Sequence, residues 1–161
     1  MQITREFLRQ HHACYTDQEI AALVPADGLS LSQILDLRIP EKDRIWVATL
    51  PSVCPPQIMW VWQALLVERA LARVANPDPR SLAVVPLLRR LAAGENVGRE
   101  EISRASYAAY AAYADGAAYA ASRAAYASAY AAAAYAASDA ASDAEHKQQI
   151  ADLKRLLSEE P

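Results

Sequence analysis

Residues 105–144 read ASYAAYAAYADGAAYAASRAAYASAYAAAAYAASDAASDA, and the fold class follows from what such a stretch can form. Alanine has the highest intrinsic helix propensity because it loses no side-chain rotamers on folding, and no proline interrupts the run. The predicted element is therefore helix, beginning near residue 99. As one straight rod over 99–144 it would reach roughly 70 Å, at about 1.5 Å per residue. A globule of this chain length has a radius of gyration of only about 15 Å, so the tract must project or bend. Asp115-Gly116 is the weakest point for a bend, since glycine gives up about 1 kcal/mol in a helix interior relative to alanine.

Seven of the eight tyrosines lie in this tract, between Tyr107 and Tyr135. At about 100° per residue, Tyr119, Tyr126 and Tyr130 fall within about 40° of one another, and Tyr110, Tyr113 and Tyr135 gather on a face well over 100° away. Two tyrosine ridges separated by alanine flats result. The flats let helix backbones approach at the short end of the usual range of about 8 to 10 Å between axes. The ridges either fill the sides of such a bundle or stand outward for a partner, because tyrosine offers rigid, amphipathic contact area at low entropic cost. The candidate partner-binding residues are accordingly Tyr119, Tyr126 and Tyr130.

Working outward, the N-terminal half carries short helices with nameable start signals. Thr4 can cap a helix through residue 10 with Phe7 and Leu8 inward. Thr16-x-x-Glu19 and Ser30-x-x-Gln33 are capping-box patterns, opening helices that end before Pro25 and Pro40, with PADGL at 25–29 as the turn between them. Pro40 suits the first position of a helix over 41–50 with Ile45, Trp46 and Leu50 on one side. After the break of Pro51, Pro55 and Pro56, a helix over 57–75 is apolar on nearly every face until Glu68 and should be the most buried. Residues 76–79, NPDP, end it. A helix over 80–93 follows, with Leu82, Val85, Leu88 and Leu91 at steps of three, Pro86 kinking or dividing it and Gly94 as its stop. A final amphipathic helix over 145–157 places Ile150, Leu153, Leu156 and Leu157 on one stripe, as a lid on the bundle or a pairing surface.

No run of alternating β-branched residues bounded by turns occurs. The expected fold is all-α: a single-domain helical bundle with a long Ala/Tyr-rich C-terminal helix or helical hairpin. Its parts are a helical head over 1–98 with the large-residue core, the Ala/Tyr tract over 99–144, and the C-terminal helix over 145–161, one domain overall.

A net charge of −3 and a pI near 5.6 argue against direct nucleic-acid binding, which requires a face of Lys and Arg to displace phosphate counterions. The most apolar run, residues 58–67, is about half the roughly 20 residues a bilayer demands, so no membrane association is expected. Two cysteines make no disulfide framework, and MQITREFLRQHH has no apolar leader core, which together point to the cytoplasm.

Chemistry-bearing constellations are thin. His11, His12 and Cys14 form an H-H-x-C group that Cys54 or His146 could join, but adjacent histidines on a helix diverge by about 100°, which suits zinc poorly. A Cys-His nucleophile pair would lack an oxyanion hole and a third orienting group. Asp139 and Asp143 lie four apart, as do Ser138 and Ser142, in the manner of a solvated helix edge. Four glycines in the whole chain leave no phosphate loop. No catalytic residue, cofactor or metal is expected, and an enzyme would need a cleft between helices that nothing in these motifs marks.

The segments REFLRQHHACYTDQEIAALVP, RIPEKDRIWVATLP and PRSLAVVPLLRRLAAGENVGREEISRA, the last running into the Ala and aromatic tract, resemble alanine-rich helical proteins of the immunity type or of phages and prophages. The shared landmarks are Ala13-Cys14 in the head and the Arg90 to Glu95 corner before the low-complexity helix. This chain departs from the group in carrying Tyr where such tracts often carry Trp or Arg, and no binding residues transfer. The resemblance implies a setting of inter-bacterial or phage conflict. The expected function is non-enzymatic, stoichiometric inhibition of a protein partner, a toxin or defence-system component. The alternative is a structural, self-associating protein that forms a homodimer through its Ala/Tyr helices.

Overall fold

The computed structural model describes residues 1–73, 77–114 and 139–159, and among them every regular element is helical, with no strand. The fold is all-α. Cα proximity divides the chain into two compact units, Met1–Pro55 with His146–Pro161, and Pro56–Glu145.

The first unit holds α1 (Arg5–Gln10), α2 (Asp17–Leu23), α3 (Leu31–Asp36), α4 (Glu41–Thr49) and the part of α9 (Asp139–Ser158) from His146 onward. Helices of six to nine residues are too short to persist alone, so their ends must be closed. Thr4 accepts the amide hydrogen of Phe7, and both capping boxes form as read: Thr16 with Glu19, and Ser30 with Gln33.

The carbonyl ends are closed by devices that local patterns do not reveal. Arg5 donates from Nε to the Val24 carbonyl at 2.6 Å and from Nη2 to Ala21 at 3.1 Å, capping α2. Arg44 donates from Nη1 to the Leu35 carbonyl at 2.9 Å, capping α3. α1 ends in a Schellman motif: the amide of His12 bonds Arg9 at 2.9 Å and that of Ala13 bonds Leu8 at 3.0 Å. His12 sits at φ +58°, the left-handed conformation this motif requires. One histidine of the H-H-x-C group is thus a helix stop.

The PADGL turn is tied to the N-terminus by mutual backbone bonds between Ile3 and Leu29, at 2.7 and 3.1 Å. Gly28 adopts φ +85°, and a Cβ there would lie 3.0 Å from the Ile3 carbonyl oxygen. In α4 the inward residues differ from the expected Ile45, Trp46 and Leu50. Ile45, Val47 and Ala48 are buried while Trp46 and Leu50 are half-buried. Val47 is about 200° round the helix from Ile45, so α4 is covered on two sides rather than one. Pro40 is the residue just before α4 rather than its first. The C-terminal stripe folds back on its own chain: Ile150 and Leu153 are buried, and Lys154 pairs with Asp36 at the end of α3.

The second unit holds α5 (Pro56–Ala72), α6 (Pro79–Leu82), α7 (Val84–Ala92), α8 (Arg99–Ala114) and the opening of α9. α5 packs against α7 around Ala64, Val67, Leu71, Val84 and Leu88, and α8 packs against α6 and α7. The helix expected over 80–93 is two. Pro86 has no amide to give the Leu82 carbonyl and its ring crowds that carbonyl, so the chain breaks at Ala83. After the break the buried face is Ser81, Val84, Leu87 and Leu88, and Leu82, the first of the residues at steps of three, is 44% exposed. Asp78 caps α6, with Pro79 at its first position. Gly94 ends α7 at φ +78° in a second Schellman motif, with Gly94 bonded to Leu91 and Glu95 to Arg90, both at 3.0 Å. The bend proposed at Gly116 lies outside the described residues.

Gly28→Ala should lower unfolding free energy by about 2 kcal/mol, from a strained φ and the clash with Ile3. His12→Gly should raise it by about 0.5 to 1 kcal/mol, because glycine adopts the left-handed region without strain. Ser81 is fully buried and its hydroxyl has no hydrogen-bond partner among the described residues, so Ser81→Ala should raise stability by about 1 kcal/mol. Urea unfolding followed by far-UV circular dichroism checks all three.

Candidate functional site

Both units present concave features in which polar groups meet an apolar wall. In the first unit the turn after α1 brings Ala13 and Tyr15 over α2, α3 and α4. There they close a small cavity of about 30 Å³ whose wall includes Leu8, Ile20, Val24, Ile34 and Val47. Leu23, Leu37, Ile39 and Trp46, all half-buried, complete it. Its polar members are Tyr15 and Asp43, joined by a bond of 2.6 Å from the phenol to Asp43 Oδ2. Burial, then that bond and the charges of Asp43 and Glu19, push the Tyr15 phenol up to about 12. The phenol therefore stays neutral and keeps donating through the physiological range.

In the second unit an open groove of about 290 Å³ runs between α7 and α8. Its floor is Ala83, Pro86, Leu87, Ala105 and Ala108, and its charged wall is Arg90, Glu101 and Arg104. Arg90 is held by Glu95 at 2.9 Å and Glu101 at 2.5 Å, which fixes the corner where α7 turns into α8. Arg104, one turn beyond Glu101, has no ion-pair partner among the described residues. Tyr107, a further three residues along, is 72% exposed. On the other side of Pro86 a second open hollow lies between α5 and α7, where Leu82 and Val85 stand beside Glu68, itself paired with Arg89 at 2.6 Å. The outer face of α6 and α7 is thus an apolar ridge with a hollow on either side.

In the opening of α9, Glu145 pairs with α5. Glu145 accepts two bonds from Arg69, at 3.0 and 2.9 Å, and one from Arg73 at 2.6 Å. The two arginines are one turn apart on α5. Burial pushes the Glu145 carboxyl up, but the bonds and charges of Arg69 and Arg73 outweigh it and hold it below 4.5.

The tyrosines singled out as a partner surface, Tyr119, Tyr126 and Tyr130, lie outside the described residues, as does Tyr135. Tyr110 and Tyr113 lie on α8, and their side chains are likewise outside the description. Cys14 is exposed with a free thiol, Cys54 is buried, and His11 stacks on Phe7 with ring centroids 4.4 Å apart. Among the described residues no group of three or more His, Cys, Asp or Glu side chains could hold a metal ion. Asp139 and Asp143 fall on α9, their side chains outside the description. The Tyr15–Asp43 pair went unread in the sequence. Its one signal was Tyr15 itself, the single tyrosine outside the Ala-rich tract.

Comparison with protein-family models, with curated proteins and with solved structures finds no match for this chain. No helix among the described residues is long and apolar enough to cross a membrane.

Since the folded value of Glu145 lies below its unfolded value, its contribution to stability is complete above the ordinary carboxylate range and is lost as pH falls through the folded value. Glu145→Gln should therefore be less stable than the parent near pH 7, and the gap should narrow toward about pH 3. Urea midpoints at the two pH values measure it, and a gap that persists in acid would contradict the ion pairing.

Proposed function

We propose that this chain is a non-enzymatic binding protein that acts by stoichiometric association with a protein partner, in the manner of immunity or phage anti-defence inhibitors. The observation that carries this reading is the α7–α8 groove. It combines an apolar floor of Ala83, Pro86, Leu87, Ala105 and Ala108 with a charged wall that includes Arg104, a residue type enriched where binding energy concentrates. A floor built on Ala83, Ala105 and Ala108 admits a helix backbone closely, so the occupant is an amphipathic helix of the partner. Its charge is argued from the rim. Arg90 is already neutralised by Glu95 and Glu101, which leaves Arg104 to meet a carboxylate on the incoming helix.

The resemblance noted in the sequence supports a toxin or defence-system component as the partner. The exposed, free thiol of Cys14 fits a reducing compartment and thus the cytoplasm. The ridge of Tyr119, Tyr126 and Tyr130 is proposed as a further contact on the strength of the sequence alone.

The test is affinity capture with mass spectrometry, using the parent chain, Arg104→Glu and the triple alanine variant at Tyr119, Tyr126 and Tyr130. The expected result is one partner held by the parent at one-to-one stoichiometry and weakened at least about tenfold by Arg104→Glu, with unchanged circular dichroism. A partner held equally by Arg104→Glu would remove the groove from the interface. A homodimer by light scattering that Arg104→Glu dissociates would instead make a second copy of this chain the occupant. Catalytic turnover of any captured partner would overturn the non-enzymatic reading.

A further inference from the structure

The pocket in the first unit combines three properties that together select a ligand class. Its interior is small and apolar: about 30 Å³, walled by aliphatic side chains such as Leu8, Ile34 and Val47. A water there would find polar partners only on the side of Tyr15 and Asp43, whereas a methyl-bearing alkyl tip meets the carbon that makes up most of the wall. Among its lining groups is a carboxylate that no cation pairs with among the described residues. Asp43 accepts one bond, from the neutral Tyr15 phenol to Oδ2, and Oδ1 has no partner among the described residues. The adjacent cation, Arg44, is engaged elsewhere, with Nη1 on the Leu35 carbonyl and Nη2 on Glu41 at 3.0 Å. The third property is aromatic. Trp46 lies three residues after Asp43 on α4, which puts the two side chains on neighbouring positions of one helix face, and both line the pocket.

We propose that the Tyr15–Asp43–Trp46 pocket binds a small aliphatic amine in its ammonium form, with the alkyl tip in the cavity and the ammonium on Asp43. The carboxylate supplies the charge-assisted acceptor and Trp46 adds cation–π attraction at a half-buried site. The negative charges of Asp43 and Glu19, which also help to raise the Tyr15 phenol, act in the same sense on an incoming cation. An anion with the same tail meets only repulsion. A lysine side chain ends in its ammonium and has no alkyl group beyond it, so it offers the charge without the tip.

The experiment is a titration of the full-length, isotope-labelled chain by amide and indole NMR near pH 7. The probes are isobutylammonium, isovalerate, which carries the same isobutyl group on a carboxylate, and Nα-acetyl-lysine amide. Isobutylammonium should move the signals of Ala13, Tyr15, Asp43 and the Trp46 indole, with a dissociation constant in roughly the millimolar range expected for so few heavy atoms. Isovalerate should leave those signals in place, and Asp43→Asn should weaken the amine by at least about tenfold. Lysine amide, which carries the charge without the tip, should bind more weakly than isobutylammonium, and binding as tight would overturn the placement of the alkyl tip in the cavity. Equal response to amine and isovalerate, no response to the amine at tens of millimolar, or an unchanged affinity in a folded Asp43→Asn variant would each overturn the proposal. Should Asp43→Asn not fold, the amine–isovalerate contrast on the parent chain decides alone.

Discussion

Everything in this molecule depends on how short helices end. A six-residue helix such as α1 or α3 has more unsatisfied backbone groups at its termini than bonds in its interior, so it exists only if something outside it closes those ends. The amide ends are closed by hydroxyl and carboxamide side chains within three residues. The carbonyl ends are closed by left-handed stops at His12 and Gly94, and by guanidinium groups from Arg5 and Arg44. Once α2, α3 and α4 are closed in this way, their apolar residues converge under Tyr15, and the small pocket exists because those ends are held.

In the second unit the same requirement works through proline. Pro86 breaks what would be one amphipathic helix, and the break determines both the core and the surface. It directs Val84 and Leu88 to α5, and it leaves Leu82 and Pro86 outward between two hollows. The arginines then take two roles. Arg69, Arg73 and Arg90 close contacts within the unit, while Arg104 stands beside an apolar floor without a partner among the described residues. The proposed protein-binding function rests on that difference between engaged and unengaged cations.

Most helix limits were legible before any coordinates. The two capping boxes, the turn around Gly28, the Asp78-Pro79 start and the Gly94 stop all appear where read, because each involves groups only two to five residues apart. The errors came from facing rather than existence. Leu82 shares a step of three with Val85, Leu88 and Leu91 but is exposed once the helix divides before Pro86, and α4 buries Val47 on the side away from Ile45. For the candidate sites, the Arg90 to Glu95 corner was visible as a motif. The Tyr15–Asp43 contact, between residues 28 apart, left no local trace.

By itself the sequence determined that the described residues are helical, where most of their helices begin and stop, and that the charge of the chain is near balance. Propensity, capping and proline sterics all act within about one helical turn. Tertiary structure alone decided which faces are covered and which polar groups meet. The return of α9, through Lys154, to an Asp36 that lies 118 residues earlier, the capping of α3 by Arg44, and the pocket under Tyr15 join residues whose proximity is a property of the packed chain. No local pattern encodes such pairs, because their geometry exists only after the helices have found one another.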